Sequence, residues 1–145
     1  MSSSQGQTPA PPADDPKAVL LVCFGGFSNT GYLTGLGAMQ AVSKVGLGQA
    51  CIACLAGVPT GSASVIERIR NARSVVVVDG CATACARKIA ETASLRITKS
   101  ITLTSDLGIE KIPFRQRLDV QDPLDLIPAE EIARVADAII DAIGR

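Results

Sequence analysis

Five cysteines and no histidine set the chemistry open to this chain. Without imidazole there is no Ser-His-Asp or Cys-His catalysis, no His-ligated metal and no histidine proton shuttle at neutral pH. Thiols, carboxylates, amines and backbone groups remain. Cys81 and Cys85 follow four consecutive valines, Val75 to Val78, and the turn residues Asp79-Gly80. That order predicts a strand buried on both faces, a turn, and a helix from about Thr83 to Ala93. The unpaired N–H groups and positive dipole end of a first helical turn favour thiolate over thiol. The junction is therefore expected to hold a reactive or metal-binding sulfur.

The other cysteines sit in comparable places. Ala18–Val22 is a short apolar run, a second buried strand, and it empties into Cys23 and the glycine-rich loop Phe24-Gly25-Gly26-Phe27-Ser28-Asn29-Thr30-Gly31. Asn29 or Thr30 is expected to cap a helix reaching about Val45. The glycines inside it suggest close helix-to-sheet approach. Ala50–Ala56, with Cys51 and Cys54, predicts a third strand, followed by a helix opened by Ser62 or Ser64. Ser100–Thr104 predicts a fourth strand; residues 105–126 are broken by Pro113 and Pro123 and get no assignment. In the final helix, Pro128 suits the first turn, Glu130 and Glu131 face the positive dipole end, and Gly144 terminates. Its apolar stripe, Ile132, Val135, Ala136, Ile139, Ile140 and Ile143, reads as core packing.

Alternating strands and helices imply a three-layer α/β/α sandwich, doubly wound on a mostly parallel sheet of four to five strands. Such folds bind ligands at the carboxyl ends of their strands. Cys23, Cys54 and Cys81 each fall at or just past such an end, and Cys85 lies one helical turn beyond Cys81. If the strand order begins 2-1-3, the three strands are neighbours about 4.8 Å apart. Tetrahedral zinc needs sulfurs about 3.8 Å from one another, which adjacent strand ends can supply. The sulfur set suits zinc or, alternatively, an iron–sulfur cluster. Small buried thiols that merely fill the core are the plainer reading. Cys51 and Cys54 have thioredoxin-like spacing, but in one strand they would stand about 10 Å apart on opposite faces, beyond disulfide reach. Cys51 reads as core.

The loop after Cys23 shares its strand–cysteine–loop–helix order with low-molecular-weight phosphatases and arsenate reductases. Those need an arginine at the loop's end to grip the anion; here Asn29 and Thr30 stand there, and no arginine comes before Arg68. A phosphatase is disfavoured. Asp79 either ends the strand or orients the site. Ser28 and Asn29 either bond sulfur or cap the helix. Lys111 is by default a solvated lysine; beside four thiolates on a divalent ion it would partly neutralise their net charge.

Charge and composition exclude other classes. Lys plus Arg and Asp plus Glu are 14 each, and only 3% of residues are aromatic, so nucleic-acid binding has neither the charge nor the stacking rings it needs. No apolar run is long enough to span a bilayer. Residues 1–16 are polar and read as a flexible tail, without the pattern of a secretory signal. Residues 17–145 read as a single domain. An odd cysteine count argues against a disulfide scaffold and for a reducing, cytoplasmic setting.

At Asp79-Gly80-Cys81 the sequence resembles the DGC-domain family, which carries that tripeptide and is read as zinc-binding from four potential chelating cysteines. Cys23 to Gly31 resembles its opening segment, Cys54-Leu55-Ala56-Gly57 its middle one, and Asp79 to Lys88 its third. The resemblance runs from about Ala18 to Lys111 and implies Cys23, Cys54, Cys81 and Cys85 as metal ligands, with Cys51 outside the pattern. It supports a site and no particular activity. The expectation is thus a zinc site with a structural, metal-handling or regulatory role. The alternative is a redox protein or enzyme with Cys81 or Cys23 as a low-pKa nucleophile. A protein partner or a homo-oligomer is compatible with either, and whether the chain is an enzyme is open.

Overall fold

The computed structural model describes residues 16–144; all but the last residue of the tail reading, 1–16, lies outside the described residues. Four strands form one sheet: β1 (Ala18–Val22), β2 (Ala50–Ile52), β3 (Ser74–Asp79) and β4 (Lys99–Thr102). All pairings are parallel and the order is β2-β1-β3-β4. The order thus begins 2-1-3, the condition under which the three cysteine-bearing strands are neighbours. Among the described residues there are five α-helices: α1 (Asn29–Val45), α2 (Ala63–Asn71), α3 (Cys85–Thr92), the single turn α4 (Leu103–Asp106) and α5 (Ala129–Ile143).

The period-2 geometry of a strand explains why the two central strands are apolar without alternation. Leu20, Val22, Val76 and Val78 point to one face, where they pack with Leu33 and Ala38 of α1 and Val135, Ala136 and Ile139 of α5. Val19, Leu21, Val75 and Val77 point to the other, against Ile69 of α2 and Ala86 and Ala90 of α3. Each face needs its own cover, and the chain supplies a helix pair for each. Leu20 is wholly buried; truncating such a leucine to alanine costs about 2–5 kcal/mol. The α5 stripe is a core face as expected, with Val135, Ala136, Ile139 and Ile140 buried. Gly37 lets α1 approach α5, since a Cβ there would collide with Val135. At this glycine the close approach is helix to helix, not helix to sheet.

Several boundaries differ from the sequence reading, each for a local reason. β2 ends at Ile52 rather than Ala56. It is an edge strand, and after the Ala53 N–H bonds to the Leu20 carbonyl (2.9 Å) the chain turns into a 3-10 segment, Leu55–Gly57. β4 ends at Thr102, where Asp106 Oδ2 accepts the Thr102 N–H (2.7 Å) and the chain winds into α4. Ser28, rather than Asn29 or Thr30, caps α1 by accepting the Gly31 N–H at 3.2 Å. Helix α3 starts two residues later than expected, because Ala84 takes the left-handed conformation (φ 51°) immediately before it. The unassigned stretch contains α4's end and two 3-10 turns, Phe114–Gln116 and Pro123–Leu126.

Candidate thiol site at the carboxyl rim

β1 and β3 end side by side, with Val22 paired to Val78. The Cys23 N–H continues that ladder to the Val78 carbonyl (3.0 Å), and the Thr34 hydroxyl of α1 donates to the Cys23 carbonyl (2.7 Å). Cys23 is thus pinned from sheet and helix alike. After β3, Gly80 turns the chain against the start of α1: a Cβ at position 80 would stand 2.9 Å from the Thr30 carbonyl oxygen. Any side chain there would displace backbone. The Ala84 N–H then bonds to the Cys81 carbonyl (3.0 Å), closing a turn that leads into α3 with Cys85 as its first residue. Cys81 and Cys85 are therefore joined by this turn and not by a turn of helix.

Asp79, 1% exposed, does more than end its strand. Its carboxylate accepts the N–H groups of Ala86 (2.8 Å) and Arg87 (3.1 Å), two of the donors that the first turn of α3 leaves free. Burial raises its pKa, and those two hydrogen bonds oppose the shift. Part of the positive helix end expected to act on sulfur is thereby already engaged by a carboxylate.

Cys23, Cys81 and Cys85 line one cavity of about 200 Å³, together with Thr30, Thr83 and Lys111. Their electrostatics diverge. The Cys81 thiol is shifted below its ordinary value, first by the Thr83 side chain and backbone, which donate hydrogen bonds to the sulfur, then by Lys111. Lys111 Nζ stands 3.5 Å from Cys81 Sγ. Cys23 moves the other way, to about 11, through burial and through Cys85, with which it shares a hydrogen bond, and Asp79. The two neighbouring thiols are thus shifted in opposite directions, Cys81 toward easier ionisation and Cys23 away from it.

Lys111 is held in place by a residue whose role was not visible in the sequence. Asn29 is buried, donates through Nδ2 to the Glu110 carbonyl (2.9 Å) and accepts the Ile112 N–H at Oδ1 (2.7 Å). The two bonds bracket Lys111. An antiparallel bridge between Ser28 and Pro113 and the bond from the Phe114 N–H to the Phe27 carbonyl (2.8 Å) extend the clamp. The available signal was Ile112-Pro113, since a residue before proline is biased to extended backbone.

Cys54 stands apart from this cavity. It is exposed, just past the end of the edge strand, and lines a separate cavity of about 120 Å³ with Cys51, Val65 and Arg68. Cys51 packs at the margin of the α2–α3 core, in keeping with its core reading. The three sulfurs of the rim cavity are chemically suited to a thiophilic ion. As the side chains stand, no group of three or more Cys, Asp or Glu among the described residues is arranged to hold one. Among the same residues no helix is long and apolar enough to cross a membrane. No match was found among curated proteins or solved structures. The family model of the DGC domain matches residues 19–139, covering both strand ends, the glycine loop and most of α5. By that match, the chain belongs to the DGC-domain family.

Proposed function

We propose that this chain is a zinc-binding protein whose ion sits in the rim cavity on the thiolates of Cys23, Cys81 and Cys85, with Cys54 taking the exchangeable fourth position. The observation that carries the reading is the convergence of three thiols from two strand ends in one cavity with a single cation, Lys111, beside them. With Cys54 away, three thiolates around a divalent ion carry one net negative charge, which Lys111 offsets; with Cys54 bound the charge is two, and Lys111 offsets half of it. The buried carboxylate nearby, Asp79, is engaged with α3. Cys54, on a strand end that turns away, would have to swing in, so the fourth position is the labile one. A site of this kind suits metal handling or regulation, and a position that opens would admit an exogenous ligand.

Elemental analysis, a visible spectrum and a free-thiol count on anaerobically purified protein test the proposal. One colourless zinc per chain, with the rim thiols protected from alkylation, is the expected result. Visible absorption with iron would replace zinc by an iron–sulfur cluster. Metal-free protein that takes up no added zinc would overturn the reading.

One observation favours a second reading. The lowered pKa of Cys81, between Thr83 and Lys111, is what a nucleophilic thiol requires. In that case metal-free protein alkylates fastest at Cys81, and Lys111→Met slows it.

A further inference from the structure

The Asn29 clamp that delivers Lys111 also builds a second concavity beside the thiol cavity. It is a cleft of about 550 Å³ lined by Phe27, Lys111, Pro113, Phe114, Arg115 and Leu118. Phe27 is 93% exposed and Leu118 83% exposed, two large apolar side chains with no cover in the monomer. The walls are fixed by hydrogen bonding rather than loosely apposed: the Ser28–Pro113 bridge and the Phe114-to-Phe27 bond tie the two loops together. The Phe114 ring stacks edge-to-face on Tyr32 at 5.4 Å. The charged side chains on the lining, Lys111 and Arg115, are both cations, and no carboxylate stands among the lining residues. Phe27 and Lys111 line this cleft and the thiol cavity alike, so the two are neighbours across those side chains.

We infer that this cleft is a binding site for a small organic anion with an apolar body. The apolar part would lie between Phe27 and Leu118, and the acidic group between Lys111 and Arg115, at the threshold of the thiol cavity. The volume lies within the range of small-molecule sites, about 300–1,000 Å³, and the few polar groups among apolar walls are the usual pattern of such sites. Charge complementarity selects an anion over a neutral or cationic ligand. The inference stands on the cleft alone, whether the adjoining thiols hold a metal or react directly.

The probe is anilinonaphthalene sulfonate, an apolar aryl sulfonate, titrated by fluorescence into the full chain, with its uncharged relative N-phenylnaphthylamine as comparison. The expected result is saturable binding of one probe per chain, weakened about tenfold or more by Phe27→Ser, Leu118→Ser or Arg115→Gln. These side chains are exposed or line only the cleft, and circular dichroism checks that each variant folds. Leu47→Ser, which removes an exposed leucine outside the cleft, should leave binding unchanged. The uncharged relative should bind more weakly, and Cys81→Ser should retain the sulfonate, which separates this result from the fate of the zinc reading. Equal binding in all variants, or equal affinity for the uncharged relative, would overturn the inference. So would a wild-type dimer that Leu118→Ser dissociates, because a second copy would then be the occupant.

Discussion

The carboxyl ends of β3 and β2 carry the same kind of feature, a cysteine just past a strand, with opposite outcomes. At β3 the chain is paired on both sides, turned by Gly80 against Thr30, and fixed to α3 by Asp79. Cys81 and Cys85 therefore face the same cavity as Cys23. At β2 the strand has one neighbour and three residues, and the chain leaves it through a 3-10 segment that leaves Cys54 exposed. Position past a strand end does not by itself aim a side chain at the rim. What aims it is the number of independent bonds holding the turn that follows.

The sharpest way to break this comparison is to exchange the cysteines. Under the zinc proposal, Cys81→Ser should weaken zinc binding by more than about 100-fold, whereas Cys54→Ser should weaken it by about tenfold or less. Competition with a chromophoric chelator measures both. Equal losses would mean that Cys54 is as firmly in the site as Cys81, and the contrast between the two strand ends would fail.

The next largest effect concerns the frame of the β3 turn. Gly80→Ala places a Cβ against the Thr30 carbonyl and should destabilise the fold by about 1–3 kcal/mol, as overpacking does. Thermal or urea unfolding measures it. The same substitution at Gly48, whose Cβ would meet nothing, should be tolerated.

Asn29→Ala removes both part-buried bonds that bracket Lys111, at about 0.5–1.5 kcal/mol each. Its specific signature is at Cys81. With Lys111 released, the alkylation midpoint of Cys81 in metal-free protein should move up toward the ordinary thiol value. An unchanged midpoint would mean that Thr83 alone sets the shift.

The pH dependence contrasts the two central thiols. In metal-free protein Cys81 should alkylate with a midpoint below the ordinary 9.0, and Cys23 only as pH nears about 11. Cys23 keeps its proton in the fold while the unfolded chain loses it above 9.0. Its contribution to stability is therefore full below that pH and falls as pH rises from 9.0 toward about 11. Ratiometric alkylation read by mass spectrometry separates the two sites. The smallest effect is expected at Ala84, buried and left-handed, where Gly should relieve up to about 1–2 kcal/mol of backbone strain.

Much of the frame was legible in the sequence because it rests on short-range pattern. Four valines in a row can only satisfy two buried faces, the α5 stripe can only face a core, and alternating strands and helices lead to a parallel sheet. The sequence also marked Cys23, Cys81 and Cys85 as residues past strand ends, and the structure gathers those three. What it could not show was direction. Whether Cys54 joins them depends on where an edge strand stops, and that is decided by the absence of a second pairing neighbour. Whether Lys111 is a solvated lysine or a partner of Cys81 depends on Asn29 bonding to residues more than eighty positions away. The local sequence determined which thiols lie past strand ends; only tertiary hydrogen bonds between distant loops decided which of them share a cavity and which has a lysine beside its sulfur.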